Sequence, residues 1–159
     1  IIAGRQAKRR GESFENLLHG EAYRKGWQVI KIPDGCKQVS AAKTIRVRTP
    51  FDFIFVKENK ALFIDAKTTK AKSYSTSQLT PHQIKTLSDL DANGFIAGYI
   101  INFTELNITA FFSGNDLHWL LKQSTSFTPQ DGVIIGTNSI IDLEIIFTSE
   151  INLGPEKTV

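Results

Sequence analysis

The sequence predicts one α/β domain with a mixed central β-sheet flanked by helices. Its 159 residues suit a single domain with a sizeable core. An apolar content of 41% and a charged content of 22% are typical of a globular protein and exclude a disordered chain. Helical and strand-like patterns alternate in the order helix, strand, hairpin, helix, strand, strand, helix, which favours a sheet covered on both faces.

The charge and cysteine content narrow the partners and the compartment. A formal net charge of +3 is compatible with a polyanion as partner. Cys36 is the only cysteine, which excludes a disulfide framework and a cysteine-rich zinc site and favours a reducing, cytoplasmic compartment. No apolar run approaches the ~20 residues that a membrane span needs, so we expect no membrane contact and no signal peptide.

The first elements are a basic terminus, a helix and a strand. Residues 1–10 are predicted to form an arm that either lies on phosphates or is simply solvated. Its cations are Arg5, Lys8, Arg9 and Arg10. Residues 11–25 carry an apolar stripe at helical spacing, with Glu15 at its edge. Residues 27–32 are predicted as a strand.

The segment 52–67 predicts a β-hairpin around which the other elements are arranged. Two apolar runs flank the polar residues 57–60, and a tight turn at Glu58 and Asn59 places Ile54 opposite Phe63. The same register places Asp52 opposite Asp65. A longer loop with a bulge would separate these two acids, so this prediction depends on the turn.

Asp52, Asp65 and Lys67 are expected on one face of the hairpin, because opposed residues and every second residue point the same way. The other face is predicted to be wholly apolar, formed by Phe51, Phe53, Phe55, Leu62, Ile64 and Ala66. Two buried carboxylates repel each other, and a hard cation such as Mg²⁺ would offset the repulsion. Two acids, a metal and a lysine are suited to activating water against a phosphodiester. Taken singly, each residue is better explained as a cap or a solvated side chain, whereas the three together favour chemistry.

Two basic connections lie on either side of this hairpin. Residues 36–49 are predicted as a flexible loop without acids, whose cations are Lys37, Lys43, Arg46 and Arg48. Residues 68–78 are a Ser/Thr-rich loop that carries Lys70 and Lys72. Both loops are candidates for holding a phosphate backbone, although solubility alone also explains their charge.

The next helix begins with an identifiable cap. Thr80 is the expected N-cap and Pro81 the first helical residue, with Gly94 after the last turn. Gln83 has a structural explanation as the partner of Thr80 in a capping box.

The last part of the chain is mostly strand-like. Residues 95–103 and 108–113 are predicted as a hairpin, and residues 115–122 as a short helix. Residues 124–159 are predicted as a β-like extension of unknown role within the same single domain 1–159, with strands at 133–135 and 140–147.

Four segments occur in the order found in one nuclease superfamily. Pro50-Phe51-Asp52, followed after the hairpin turn by Asp65-Ala66-Lys67, resembles the PD-(D/E)xK signature. Glu15 in Gly-Glu-Ser-Phe-Glu resembles the first-helix glutamate of the branch that resolves Holliday junctions. Leu-Thr-Pro-His-Gln-Ile, residues 79–84, resembles a segment of RecU-like resolvases. The resemblance spans roughly residues 11–121 and implies a restriction-endonuclease-like core, as in RecU-like and archaeal-type resolvases.

The resemblance also implies a site and a cofactor. One or two Mg²⁺ or Mn²⁺ ions would be bound by Glu15, Asp52, Asp65 and the backbone carbonyl of Ala66. Lys67 would orient the attacking water or stabilise the developing charge, and Gln83 would help to orient Lys67 or the water. The substrate would be branched double-stranded DNA, and a homodimer would make two symmetric cuts.

The leading hypothesis is therefore a metal-dependent endonuclease that resolves four-way DNA junctions. One alternative is another nuclease with the same core that processes ends or cuts specific sites. A second alternative, from another class, is a DNA-binding module with an inert site. A nucleotide or sugar-phosphate enzyme is disfavoured, because no Gly-rich phosphate loop follows a strand.

Overall fold

The structure is a computed structural model that describes residues 2–47 and 49–152, with side chains described for 3–35, 38–45 and 49–148. Arg48, and the side chains of Lys37 and Arg46, lie outside the described residues, so their predicted phosphate contacts remain predictions.

Strands and helices alternate along the described part of the chain. The strands are β1 (Gln28–Lys31), β2 (Gly35–Ser40), β3 (Lys43–Val47), β4 (Phe53–Lys57), β5 (Lys60–Thr69), β6 (Tyr74–Ser75), β7 (Ile96–Phe103), β8 (Ile108–Ser113), β9 (Ser126–Phe127), β10 (Val133–Thr137) and β11 (Ile140–Ile141). The helices are α1 (Ile2–Arg24), α2 (Pro81–Ala92), α3 (Gly114–Gln123) and α4 (Glu144–Asn152). None of the helices in the described residues is long and apolar enough to cross a membrane.

The central sheet has seven strands in the order β1-β4-β5-β7-β8-β10-β11. The β5–β7 pair is parallel and is joined through α2, whereas the other neighbours are antiparallel. Strands β2 and β3 form a separate two-stranded sheet, as do β6 and β9. The mixed α/β architecture predicted from the sequence is confirmed.

Each face of the central sheet carries its own hydrophobic cluster. On the α1 face, Leu18 packs in a cluster with Phe55 and Ile64. On the face covered by α2 and α3, Leu87 and Leu117 belong to the second cluster. Burying a side chain of this size contributes about 1.5–3 kcal/mol, so the two clusters hold the sheet between its helices.

The predicted hairpin of β4 and β5 is confirmed, including its turn. Lys57 pairs with Lys60 and Ile54 with Phe63, which leaves Glu58 and Asn59 at the tip. Glu58 adopts φ 56°, a left-handed conformation that a tight two-residue turn requires.

The ladder becomes irregular at Asp52, one residue before β4 begins. The Asp52 backbone N–H donates to the carbonyl of Ile64 at 2.9 Å, although Ile64 is the register partner of Phe53. The chain direction changes here, and the predicted position of Phe51 on the α1 face is wrong. The Phe51 ring instead packs edge-on against Phe63, 5.5 Å between centroids, beside the second cluster.

Three other segments differ from the sequence prediction. Residues 2–10 are not a separate arm but the first turns of α1, since Arg and Lys are good helix formers. Most of the predicted loop 36–49 is the β2–β3 hairpin. The strand-like run 140–147 stops at Ile141, and α4 starts at Glu144, whose N–H donates to the Asp142 carboxylate at 3.0 Å.

Candidate active site

Asp65 is a buried carboxylate in the middle of β5. Its side chain is 2% exposed, although its neighbours on the same strand are mostly apolar. Lys67 Nζ lies 2.9 Å from its Oδ2, and Gln83 Nε2 donates to its Oδ1 at 2.6 Å. Oδ2 is buried, and the Lys67 ammonium lies against it at 2.9 Å with poor hydrogen-bond geometry.

Asp52 lies beside Asp65 because the chain turns at the start of β4. Its Oδ2 accepts a hydrogen bond from the Ala66 backbone N–H at 2.9 Å. Asp52, Asp65 and Lys67 line one cavity, together with Gln83 from the start of α2. The structure therefore brings together the two aspartates, the lysine and the glutamine that the sequence predicted as site residues.

The electrostatics of the pair favour a bound cation or a proton. Burial raises the pKa of Asp65 to about 7; the Lys67 charge opposes this shift and the Asp52 charge adds to it. Burial also raises the pKa of Asp52, while the Ala66 hydrogen bond lowers it. Burial alone would lower the pKa of Lys67, but the charge of Asp65, its hydrogen bond and the nearby Asp52 and Tyr74 together outweigh burial and raise that pKa. One carboxylate therefore gains a proton easily when no metal neutralises the site.

Gln83 has hydrogen-bond partners other than Thr80, its predicted capping-box partner, and Lys67, which it was predicted to orient. The side chain of Thr80 makes no capping hydrogen bond, so the capping box does not form. Instead the Gln83 amide bridges two buried groups: it donates to Asp65, and its Oε1 accepts from the Tyr99 hydroxyl. Gln83 therefore orients Asp65 directly, and its predicted action on Lys67 or a water remains a prediction.

Glu15 is near the site but is held by another side chain. Its Oε2 lies 2.8 Å from Lys31 Nζ at the end of β1, and this hydrogen bond raises the pKa of Lys31. Glu15 and Asp52 line a second cavity, and the Glu15 charge contributes to the raised pKa of Asp52. No three His, Cys, Asp or Glu side chains in the described residues are arranged to hold a metal, and the ligand role predicted for Glu15 remains a prediction.

The donors that are present still fit a hard divalent cation. Asp65 Oδ2 is a buried oxygen without a well-formed hydrogen bond, and a second carboxylate, that of Asp52, is adjacent. Mg²⁺ is commonly held by one or two carboxylates and keeps several waters, so a third acid is not required. Ala66 faces the site with its amide N–H, and the ligand role predicted for its carbonyl remains a prediction.

Two site residues were missed by the sequence analysis. Tyr99 lies in an apolar run of β7 that resembles ordinary core, and only the register of the parallel β5–β7 pair shows that it faces Asp65. Lys31 ends β1, where a charged residue usually indicates only that the strand reaches solvent. No local sequence signal identified either residue.

The described basic side chains proposed for DNA are at the surface. Most of them are exposed, namely Arg5, Lys8, Arg9, Lys43, Lys70 and Lys72, while Arg10 is half-buried. Lys8 is 3.9 Å from Glu12 on the next turn of α1, an exposed pair of small energetic value. These cations are therefore available to phosphates.

Comparisons with known proteins agree with this fold. Residues 24–131 match the family model of recombination protein U, RecU. The fold is similar to that of Archaeoglobus fulgidus Hjc, a Holliday junction resolvase from an archaeal hyperthermophile, with a TM-score of 0.54 and 20% identity over 79% of this chain and 96% of that one. No curated protein matches the sequence. The resemblance to PD-(D/E)xK resolvases is confirmed, and the chain belongs to the RecU family of Holliday junction resolvases.

Proposed function

We propose that this chain cuts four-way DNA junctions by phosphodiester hydrolysis that depends on Mg²⁺ or Mn²⁺ bound at Asp52 and Asp65. The observation that carries the proposal is the Asp65 carboxylate, buried beside a second acid, whose Oδ2 lacks a well-formed hydrogen bond and lies 2.9 Å from Lys67 Nζ. A purely structural ion pair would not need Asp52 next to it, because the extra negative charge raises the cost of burial.

Each site would hold one or two cations. Their ligands would be Asp52 and Asp65, with the Ala66 carbonyl and water in addition. When bound, a cation would lower the pKa of a water and neutralise charge on the phosphate. The ammonium of Lys67 donates to the attacking water or to a phosphate oxygen. The water oxygen forms the new bond to phosphorus while the bond to the 3′ oxygen breaks, which gives a 5′-phosphate and a 3′-hydroxyl.

Glu15 is proposed as an additional ligand that its ion pair with Lys31 holds near Asp52. The 2.8 Å contact keeps the Glu15 carboxylate on the face of α1 that lines the second cavity with Asp52. A second cation would compete with Lys31 for Glu15, and the phosphate of a bound substrate would compete with Glu15 for Lys31. This role does not require Glu15 to contact the first cation.

Branched DNA and a second copy of the chain are the proposed partners. Phosphates would contact the exposed cations of α1, of the β2–β3 hairpin and of the loop after β5. Two symmetric cuts across a four-way junction require two active sites, which a homodimer supplies through its two-fold axis.

The deciding experiment compares synthetic four-way junctions with linear duplexes of the same sequences. In Mg²⁺ we expect paired nicks at symmetric positions in opposite strands of the junction, and little cutting of the duplex. Equal cutting of both substrates would favour a general or end-processing nuclease of the same core. Binding of the junction without any cutting in Mg²⁺ or Mn²⁺ would favour the inert DNA-binding module.

Replacing both Lys70 and Lys72 with alanine should weaken junction binding without changing the site chemistry. Both side chains are exposed and follow β5 directly, a few residues after Lys67. If both contact phosphates, the slope of log K against log salt should fall by about two, and the affinity at low salt should drop about tenfold or more. Cleavage at saturating protein should be unchanged.

A fluorescence anisotropy titration at several salt concentrations measures both quantities. Lys85→Ala is a matched control, because Lys85 is exposed on α2 and pairs with Asp89 at 2.7 Å. An unchanged salt slope in the Lys70→Ala/Lys72→Ala protein would remove this loop from the DNA surface.

A further inference from the structure

Tyr99 contacts both Gln83 and Lys67, the two donor side chains next to Asp65. Its side chain is fully buried, and it is the register partner of Asp65 across the parallel β5–β7 pair. Its hydroxyl donates to Gln83 Oε1, and Lys67 Nζ lies 5.3 Å from its ring centroid. A single buried side chain therefore supports the two groups that flank the Asp65 carboxylate.

The Asp65 carboxylate and the Tyr99 hydroxyl together fix which way the Gln83 amide points. The oxygen and nitrogen ends of a primary amide have nearly the same shape, so the hydrogen-bond partners fix its orientation. The Asp65 carboxylate can only accept, so it takes the amide nitrogen, and the Tyr99 hydroxyl donates to the amide oxygen on the other side. Because the Gln83 oxygen is occupied by this donor, its nitrogen faces Asp65 Oδ1, 2.6 Å away.

The opposite amide orientation would place an oxygen against a carboxylate. Both groups would then be acceptors, and the hydrogen bond that fixes Oδ1 would be replaced by repulsion. With Oδ1 fixed, the other oxygen, Oδ2, is the one that remains without a well-formed hydrogen bond beside Lys67. The carboxylate of Asp65 is thus held in one rotational position.

We propose that Tyr99 is a positioning residue of this resolvase site, which fixes the Gln83 amide so that Asp65 presents one defined oxygen to a divalent cation. The proposal rests on the proposed metal-dependent function. The Tyr99 hydroxyl also hydrogen-bonds the Thr80 backbone. The proposal predicts that this hydroxyl acts on Asp65 through Gln83, whereas the ring supports Lys67. Loss of a contact of this kind typically lowers metal affinity or activity by about 10–100-fold.

Tyr99→Phe isolates the hydroxyl, because the ring under Lys67 is kept. We expect Mn²⁺ binding, measured by calorimetry without DNA, to weaken about tenfold, since the Gln83 amide is free to turn. Cleavage at saturating junction and fixed metal should slow by a similar factor, while the Kd for the junction stays unchanged. Tyr23→Phe is the matched control: Tyr23 is 74% exposed on α1, and the change should leave both readouts as in the wild type.

A double-mutant cycle separates positioning from general packing. Gln83→Leu removes the amide, and adding Tyr99→Phe to it should change Mn²⁺ affinity less than about twofold, because residues that act through one another are not additive. Additive effects, or wild-type Mn²⁺ affinity in Tyr99→Phe, would overturn the proposal. A wild-type protein that neither binds Mn²⁺ nor cuts junctions would instead reject the metal-dependent function itself.

Discussion

Asp65→Asn should abolish junction cleavage and at the same time stabilise the metal-free protein. Cleavage should fall by about 10³-fold or more, because the neutral amide is a poor ligand for a hard cation. Unfolding of the metal-free protein at pH 8 should cost more free energy than in the wild type. The reason is that Asp65 is 2% exposed and lies beside Asp52. Burying its ionised carboxylate next to another acid therefore destabilises the folded state.

The pH dependence gives the sign of this stability change. The folded-state pKa of Asp65 is raised to about 7, above the value of about 4 that an aspartate has in an unfolded chain. The protonated group therefore supports the fold fully below about pH 4, and this contribution is lost as the pH rises through 7. The wild type should lose stability relative to Asp65→Asn across this window, by on the order of a few kcal/mol.

Thermal unfolding between pH 4 and pH 8, with and without Mg²⁺, measures the difference. Mg²⁺ should raise the midpoint of the wild type and leave Asp65→Asn unchanged, since ligand binding stabilises only the state that binds it. Asp89→Asn is a matched control, because Asp89 is an exposed carboxylate paired with Lys85 on α2. Equal destabilisation of Asp65→Asn at both pH values would mean that the ion pair with Lys67 dominates and that no strained acid pair exists.

The central hairpin could be predicted because its signals are local. The turn at Glu58 and Asn59 and the alternating apolar residues on each side fix the register of β4 against β5. That register predicted Asp52 directly opposite Asp65. In the structure the ladder ends at Phe53 and Ile64. Asp52 lies beside Asp65, and the Asp52 carboxylate accepts a hydrogen bond from the Ala66 N–H. The position of Phe51 was predicted wrongly, because the ladder is irregular at Asp52 and no turn or periodic signal before β4 indicates this.

The supporting residues could not be predicted because their partners are distant in the sequence. Gln83 has a plausible local partner in Thr80, but the buried pair of Asp65 and Tyr99 takes the amide instead. The register of a parallel pair is set by a crossover helix and leaves no periodic signature on either strand. Tyr99 therefore resembled a core residue, although it faces the buried acid.

The C-terminal helix shows the same limit for an apolar run. Ile145, Ile146 and Phe147 fit a buried strand and a buried helix equally well by their periodicity. Tertiary contacts accompany the helix: Ile146 is buried in the cluster on the α1 face, and Glu144 forms ion pairs with Lys57 at 3.2 Å and Lys60 at 2.8 Å, at the tip of the central hairpin. Both lysines come from another part of the sequence, so no pattern within residues 140–147 could reveal them.

Gly114→Ala should destabilise the fold strongly through the contact between α2 and α3. A Cβ at this position would lie 2.4 Å from the carbonyl carbon and oxygen of Leu87 and 2.5 Å from the backbone nitrogen of Ser88. These are backbone atoms of α2, so no side-chain rotation can relieve the clash and the two helices must separate. Overpacking of a core costs about 1–3 kcal/mol, and we expect about 3 kcal/mol or more here.

Gly20→Ala is the matched control, since a Cβ there meets nothing within 4 Å on α1. The added methyl group should stabilise the protein by about 0.5–1 kcal/mol through helix propensity. Denaturant unfolding of both variants tests the difference in sign. Because α2 also carries Gln83, Gly114→Ala protein that remains folded should bind Mn²⁺ more weakly than the wild type. A Gly114→Ala protein as stable as the wild type would show that α2 and α3 do not pack this closely, and the orientation of Gln83 would then need another support.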